Sequence, residues 1–237
     1  MQADEDFAGG QMQGNRVNQE DFYAFSQPGD GSLLVVVADG VGGHAAGQVA
    51  SKVAVQAFLE GFERAKGPET ERLSTALTFA NLQVAAAVDA DPRNFSGMGT
   101  TLVAVHVKDR ALHWISVGDS PLYLFRGNEL TRLNADHSAA GLPPGFKLSR
   151  NVLLSALTGS SIPLIDAPRK TLALKCSDLL LVASDGLLTL SDEEVAACCV
   201  RDKNQSAAGI AAHLLAAIVA KAKRFQDNAT VALIKIG

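Results

Sequence analysis

Six acidic residues fall where apolar runs begin or end. Asp39 closes one run, in Val-Ala-Asp39-Gly40, and Asp185 closes another, in Val-Ala-Ser-Asp185-Gly186. Asp119 sits in the turn Ser-Val-Gly-Asp119-Ser, Asp227 opens the last run in Gln-Asp227-Asn228-Ala-Thr, and Glu20 and Asp21 open the first. Strand ends gather along one rim of a sandwich, so acids from distant parts of the chain can converge there. Carboxylates brought together repel unless cations neutralise them. An oxygen-only ligand set selects hard ions such as Mg²⁺ or Mn²⁺, and no histidine or cysteine set has zinc spacing. Taken singly, each acid has a plainer reading, because Asp-Gly is the commonest hairpin turn. Yet Asp39-Gly40 leads through Val-Gly-Gly-His toward a helix, and Asp185-Gly186 leads into a short apolar run and a helix cap. Neither is a two-residue hairpin.

The elements that must carry these acids follow from periodicity. Strand-like runs cover Asp21–Ser26, Ser32–Ala38, Thr101–Lys108, Ala111–Val117, Pro121–Phe125, Thr171–Leu174, Asp178–Ser184 and Ala229–Ile236. They are rich in Val, Leu and Ile and punctuated by Gly, Pro, Asn and Asp. Leu33-Leu34-Val35-Val36-Val37-Ala38 is apolar on both faces, as in a strand covered on both sides. Helical spacing groups Ala50, Val53, Ala54, Ala57 and Phe58; then Leu73, Leu77, Ala80, Val84 and Val88; then Ala207, Ile210, Ala211, Leu214, Leu215 and Ile218. A short further helix starts at Ser191, whose spacing to Glu194 is that of a capping box. Regular βαβ alternation is missing, which disfavours a doubly wound parallel sheet. Two packed sheets with helices outside account for strands apolar on both faces.

The 237 residues, 47% hydrophobic and 19% charged, describe a globular chain long enough for one large core or two small domains. No repeat, low-complexity tract or long linker divides it, so one domain over residues 1–237 is expected. A net charge of −4 argues against a nucleic-acid partner. The basic run Lys221, Lys223 and Arg224 reads as the C-terminal end of a helix, where cations meet the dipole. Asp4, Glu5 and Asp6 follow Met1 in place of the basic start and apolar stretch of a secretory signal. The stretch Ala207 to Ala220 is too short to span a bilayer. Cys176, Cys198 and Cys199 have no disulfide or Cys-x-x-Cys pattern and read as free thiols of a reducing cytoplasm. A cytoplasmic protein with no membrane partner is expected.

Seven segments, read together, resemble the metal-dependent protein phosphatases of type 2C. They are Gly14-Asn-Arg16-Val-Asn-Gln-Glu20-Asp21, Ala38-Asp39-Gly40-Val-Gly-Gly-His44-Ala-Ala-Gly47, Gly97-Met-Gly99-Thr100-Thr101, Gly118-Asp119-Ser120, Asp136-His137-Ser138, Ser184-Asp185-Gly186 and Asp227-Asn228-Ala229-Thr230. Each is weak alone; their shared order along nearly the whole chain is specific, and Asp-Gly-x-Gly-Gly-His resembles the bacterial branch. The resemblance implies an α+β fold, a four-layer α-β-β-α sandwich of two mainly antiparallel sheets flanked by helices. It implies hydrolysis of phosphoserine and phosphothreonine in proteins, with two tightly bound Mn²⁺ or Mg²⁺ ions and a weaker third. By position, Asp39 would bridge two metals and the Gly40 carbonyl would bind the second. Asp185 and Asp227 would complete the first site, and Glu20 would hold the second ion through water. Asp21 would hydrogen-bond the water between the metals, and Arg16 would grip phosphate with its planar fork. Asp119, with Asp185, matches the weaker third site. Phosphoproteins, including a cognate Ser/Thr kinase or its substrates, are the implied partners, and a monomer is expected.

The chain departs from the family pattern in three places. Val41 stands where animal and plant members often carry a histidine proposed as the leaving-group acid; His44 nearby reads as a brace for the loop. Pro121 replaces the usual arginine after Gly-Asp-Ser. Only Ser138 to Arg150 is available for the flap that bacterial members place beside the active site, which implies a more open metal rim and broad peptide acceptance. His106, His113 and His213 read as structural. Among rivals, Gly40-Val-Gly42-Gly-His-Ala45 fits a dinucleotide-binding G-x-G-x-x-A, with Glu60 twenty residues beyond Gly40. But Glu60 falls in a helical pattern, where that reading needs the end of a second strand. A non-catalytic phosphoprotein-binding module of the same fold is the other alternative, and such a module should have lost metal ligands.

Overall fold

The computed structural model describes residues 1–42, 45–141, 149, 152–201 and 204–237. The strands are β1 (Phe7–Met12), β2 (Asp21–Ser26), β3 (Leu33–Val41), β4 (Gly99–Thr100), β5 (Leu102–Lys108), β6 (Ala111–Val117), β7 (Leu122–Arg126), β8 (Glu129–Arg132), β9 (Leu172–Ala173), β10 (Leu179–Ala183) and β11 (Ala229–Lys235). The helices are α1 (Ala45–Arg64), α2 (Glu69–Ala90), α3 (Pro92–Phe95), α4 (Asp192–Arg201) and α5 (Ala207–Ala220). One sheet runs β1-β11-β10-β7-β8 and the other β2-β3-β5-β6-β9, with β4 pairing the end of β3. The ladders between these strands are antiparallel.

The alternation within the apolar strands builds the four layers. Leu34, Val36 and Ala38 of β3 join a core with Ala50, Phe58, Leu73 and Leu77 of α1 and α2. Their neighbours Leu33, Val35 and Val37 point the other way, against Leu180, Val182, Ala232 and Ile234 of the second sheet. Leu179, Leu181, Val231 and Leu233 then face Ile210, Leu214 and Ile218 of α5. Side chains that alternate across a pleat must be apolar throughout when each sheet has a helix layer on one face and a sheet on the other. The α+β sandwich of the sequence reading is the observed architecture.

Three strands escape the sequence reading: β1, β8 and the two-residue β4, which lies just before the run that begins at Thr101. β1 contains Gly9 and Gly10, which weaken a strand; a Cβ on Gly9 would lie 2.3 Å from the Tyr23 ring, so tight layer contact requires its absence. β8 is short and mostly polar, and forms the edge of its sheet beyond a turn at Gly127 and Asn128, whose φ values are 59° and 70°. Positive φ at both central residues is the twist a two-residue hairpin needs. The capping box is present: Ser191 N donates to Glu194 Oε2 at 3.0 Å and Glu194 N to Ser191 Oγ at 3.3 Å. No helix among the described residues is long and apolar enough to cross a membrane.

Candidate active site

Asp39 and Asp21 are register partners at the end of the β2–β3 ladder. The Asp39 backbone is pinned from the β4–β5 side. Its N–H donates to Thr101 Oγ1 at 3.0 Å, while its carbonyl accepts from Thr101 N and Thr100 Oγ1, both at 2.9 Å. Gly40 continues β3 and is no turn. A Cβ there would meet the Gly47 carbonyl oxygen at 2.1 Å and the Glu20 carbonyl oxygen at 2.7 Å. Glycine is required because three backbones meet at this point, and the Gly40 N–H donates to Glu20 O at 3.1 Å. This contact seats Glu20 beside the Gly40 backbone.

In the opposite sheet Asp185 opens a 3-10 turn, Asp185–Thr189, directly after β10. A Cβ on Gly186 would lie 2.0 Å from the Asn228 carbonyl oxygen, so this Asp-Gly too serves close backbone packing. Asn228 pulls the rim together, accepting from Glu20 N at 2.8 Å and donating to Gln13 O and Asn18 O at 2.8 and 3.0 Å. Asp227 accepts from Asn228 N at 2.8 Å and pairs with the Arg16 guanidinium. Asp119 lies in the turn after β6, where Arg132 donates to its carbonyl oxygen at 2.7 Å.

The result is one cleft of about 260 Å³ lined by Arg16, Glu20, Asp39, Gly40, Asp119, Asp185 and Asp227. Seven of the eight residues singled out from sequence face it. The eighth, Asp21, is 3% exposed and lies beneath. Its Oδ2 accepts from Ser184 Oγ and Thr230 Oγ1, each at 2.7 Å, and its Oδ1 has no partner. The Asp39 carboxylate is close enough to Asp21 and Asp185 to be repelled by both. Sequence reading misses the brace of Ser184, Thr230, Thr101 and Gln226. The first three stand inside the quoted motifs, but nothing in one sequence marks a hydroxyl as the partner of a given acid.

Electrostatics register the crowding. Burial pushes Asp21 up to about 6, against the hydroxyl bonds from Ser184 and Thr230, and Asp227 adds repulsion. Burial, then repulsion by Asp227 and Asp21, brings Asp185 to about 6. Burial, then Asp185 and Asp136, does the same for Asp119. Asp39, at the floor, is raised well above the carboxylate range by desolvation and then by Asp21, Asp185, Asp119 and Asp227. Among the described residues no group of three or more Asp, Glu, His or Cys side chains is arranged to hold a metal ion by itself. A hexacoordinate Mg²⁺-like ion needs no such group, since one or two carboxylates and several waters suffice. The residues fit that ion: acids held close against repulsion, an all-oxygen donor set, and buried Oδ1 atoms of Asp21 and Asp185 that lack partners.

The dinucleotide reading is overturned. Glu60 lies inside α1, paired with Arg64 at 2.5 Å, and β3 has antiparallel neighbours only. His44, Gly43 and most of the short flap segment fall outside the described residues. The base of that segment is described: Ala139 N donates to Val152 O and Leu154 N to His137 O, both at 2.8 Å.

Two antiparallel sheets between helix layers, with a rim of converging carboxylates, define a class of metal-dependent hydrolase. A family model described as Protein phosphatase 2C matches residues 9–202, and the chain belongs to that family. It is 34% identical over 193 residues to the serine/threonine protein phosphatase PstP of Mycobacterium tuberculosis, a match covering 76% of this chain and 36% of that protein. The chain thus spans about a third of the length of that relative. It is 31% identical over 198 residues to the serine/threonine phosphatase stp of Listeria monocytogenes, covering 75% of each. The crystal structure of the PstP catalytic domain in complex with two manganese ions superposes with a TM-score of 0.79 at 28% identity, covering 98% of both chains.

Proposed function

We propose that this chain is a protein serine/threonine phosphatase that hydrolyses phosphoserine and phosphothreonine with Mn²⁺ or Mg²⁺. The observation that carries the reading is the single cleft in which Glu20, Asp39, Asp119, Asp185 and Asp227 converge around Arg16. Two divalent cations, when bound, would act as Lewis acids on the phosphoryl group and lower the pKa of a water. Asp39, with Asp185 and Asp227 on one side and Glu20 and the Gly40 carbonyl on the other, would hold the pair, and Asp119 would serve a weaker third. Arg16 supplies the planar donor set that matches phosphate oxygens. Its present partner Asp227 is a partly exposed acid, and exposed pairs exchange at little cost. Asp21 would accept a hydrogen bond from the attacking water; its buried Oδ1 without a partner supports that role. Water adds to phosphorus, the serine or threonine oxygen departs and takes a proton, and inorganic phosphate remains.

The retained acids disfavour a phosphoprotein-binding module without turnover. The relatives named as phosphatases support protein substrates, and a cognate kinase or its targets are the partners to seek. Three free thiols, two of them buried, suit a reducing cytoplasm; we further propose a monomer. The deciding experiment is hydrolysis of a phosphothreonine peptide with Mn²⁺, Mg²⁺, Zn²⁺ or chelator. Phosphate release with Mn²⁺ or Mg²⁺, abolished by chelator, is expected; binding of the peptide without release would favour the binding module.

A further inference from the structure

Gln226 lies outside the seven motifs, yet it bonds to the segments that carry Arg16, Asp185 and Asp227. It is 5% exposed. Its Oε1 accepts from Thr189 Oγ1 at 2.8 Å, and its Nε2 donates to Gly186 O at 3.4 Å and Asp227 O at 3.2 Å. Its backbone N–H donates to Asn15 Oδ1 at 3.0 Å, and its carbonyl accepts from Asn15 N at 2.8 Å. Asn15 precedes Arg16, Gly186 follows Asp185, Thr189 closes the turn that Asp185 opens, and Asp227 is the next residue. One buried side chain thus bonds at both ends of the Asp185 turn, and its backbone clamps the loop that presents Arg16.

We infer that Gln226 is a positioning residue, which sets Asp185 and Asp227 at the separation needed to share a cation and holds Arg16 over them. The inference rests on the phosphatase reading of the cleft. The Gln226 amide meets both demands at once, its oxygen accepting from Thr189 and its NH2 donating to the Gly186 and Asp227 carbonyls. A buried amide is otherwise expensive to keep, and an apolar residue would leave three backbone or hydroxyl groups without it. Asn228 performs the equivalent task for Glu20 on the other wall, from the position two residues on.

The test uses Gln226→Met, close in volume but without donor or acceptor, and Thr189→Val, which deletes a single bond from outside. Four quantities are measured: Mn²⁺ affinity by calorimetry, unfolding temperature in chelator, and kcat and KM on a phosphothreonine peptide. Partners that orient metal ligands are worth roughly 10- to 100-fold in metal affinity or activity. Gln226→Met is expected to lose about that much in Mn²⁺ affinity and kcat, with KM changed little. Thr189→Val should move the same quantities less, and the double variant should fall no further than Gln226→Met, because both remove one shared bond. If the variants melt earlier but bind Mn²⁺ and turn over as the parent does, Gln226 only ties loops together and the inference is wrong. Should Gln226→Met not fold, Thr189→Val decides alone. If the parent itself neither binds Mn²⁺ nor hydrolyses peptide, the phosphatase reading fails and this inference falls with it.

Discussion

Asp21 and Asp39 stand directly opposite one another across the β2–β3 ladder, two acids in adjacent strands at the same rim. Like charges so placed repel; burial and then Asp21 hold Asp39 well above the carboxylate range, while burial and then Asp227 raise Asp185, and burial with repulsion from Asp227 raises Asp21. The consequence for stability has a definite sign. Asp21, Asp119 and Asp185 move from 3.8 to about 6 on folding. Between those values the folded chain keeps protons that the unfolded chain has released, so stability falls as pH rises. Chelator-treated protein should therefore melt at a higher temperature near pH 5 than near pH 7.5. Mn²⁺ should raise the melting temperature more at pH 7.5, where it does not compete with protons. A calorimetric melt at each pH, with and without Mn²⁺, checks both, and a metal-free stability that climbs from pH 5 to 7.5 contradicts the crowded-acid account.

Asp39→Asn and Asp185→Asn should separate stability from function. Each removes one charge from the cluster at nearly constant volume. In chelator the Asp39 variant is expected to gain on the order of 1–2 kcal/mol, roughly 2–8 °C for a chain of this length. Turnover should be lost in both, since a two-metal site deprived of one carboxylate loses charge and geometry together. Normal turnover by either variant would remove that aspartate from the site.

Much of this was legible in the sequence, and the reasons differ by residue. The β3 and β11 strands announce themselves because burial on two faces forbids polar residues in alternate positions. The acids stand out because they interrupt those runs at their ends. β1 is hidden by Gly9 and Gly10, whose placement reflects contacts with Tyr23 and with Leu215 of α5 that no local pattern records. The glycines after Asp39 and Asp185 stand where a Cβ would lie 2.1 and 2.0 Å from a backbone oxygen distant in sequence, a contact no local pattern records. The Arg16–Asp227 pair joins residues 211 apart and no local spacing predicts it.

Gly40→Ala follows from that geometry. The added Cβ meets backbone of Gly47 and Glu20, neither of which can swing aside as a side chain would. Glu20 and the Gly40 carbonyl should be displaced together, so binding of the second Mn²⁺ should weaken while the Asp185–Asp227 side is kept. Titration calorimetry should then show one tight site in place of two; two unaltered sites would mean that Glu20 and Gly40 hold no ion.

Asp119→Ala tests the outlying acid. Its backbone, not its carboxylate, is held by Arg132, so truncation should leave the turn in place. Two tight Mn²⁺ sites should survive with slower turnover. Loss of a tight site on truncation would move Asp119 from the periphery of the cluster to its centre.

Arg16 carries the last prediction. Its guanidinium is 58% exposed and its partner Asp227 36%, a surface pair whose net contribution is about 0–1 kcal/mol. Such a pair opens readily, and phosphate offers the same fork a second acceptor of higher charge. If the arginine meets phosphate in the bound substrate and in the transition state alike, as proposed, its loss is a loss of uniform binding. Arg16→Ala should therefore raise KM for a phosphothreonine peptide about 10-fold or more, while kcat falls by less. The fold should be unaffected, since Gln13 reaches the Arg16 backbone carbonyl at 2.9 Å and Asn15 remains clamped by Gln226. Freeing Asp227 of its guanidinium should also tighten Mn²⁺ binding slightly, a change readable by calorimetry without substrate. Arg16→Lys keeps the charge but not the fork, and should recover only part of the lost affinity. An unchanged KM with a collapsed kcat would instead place Arg16 on the charge that develops in the transition state.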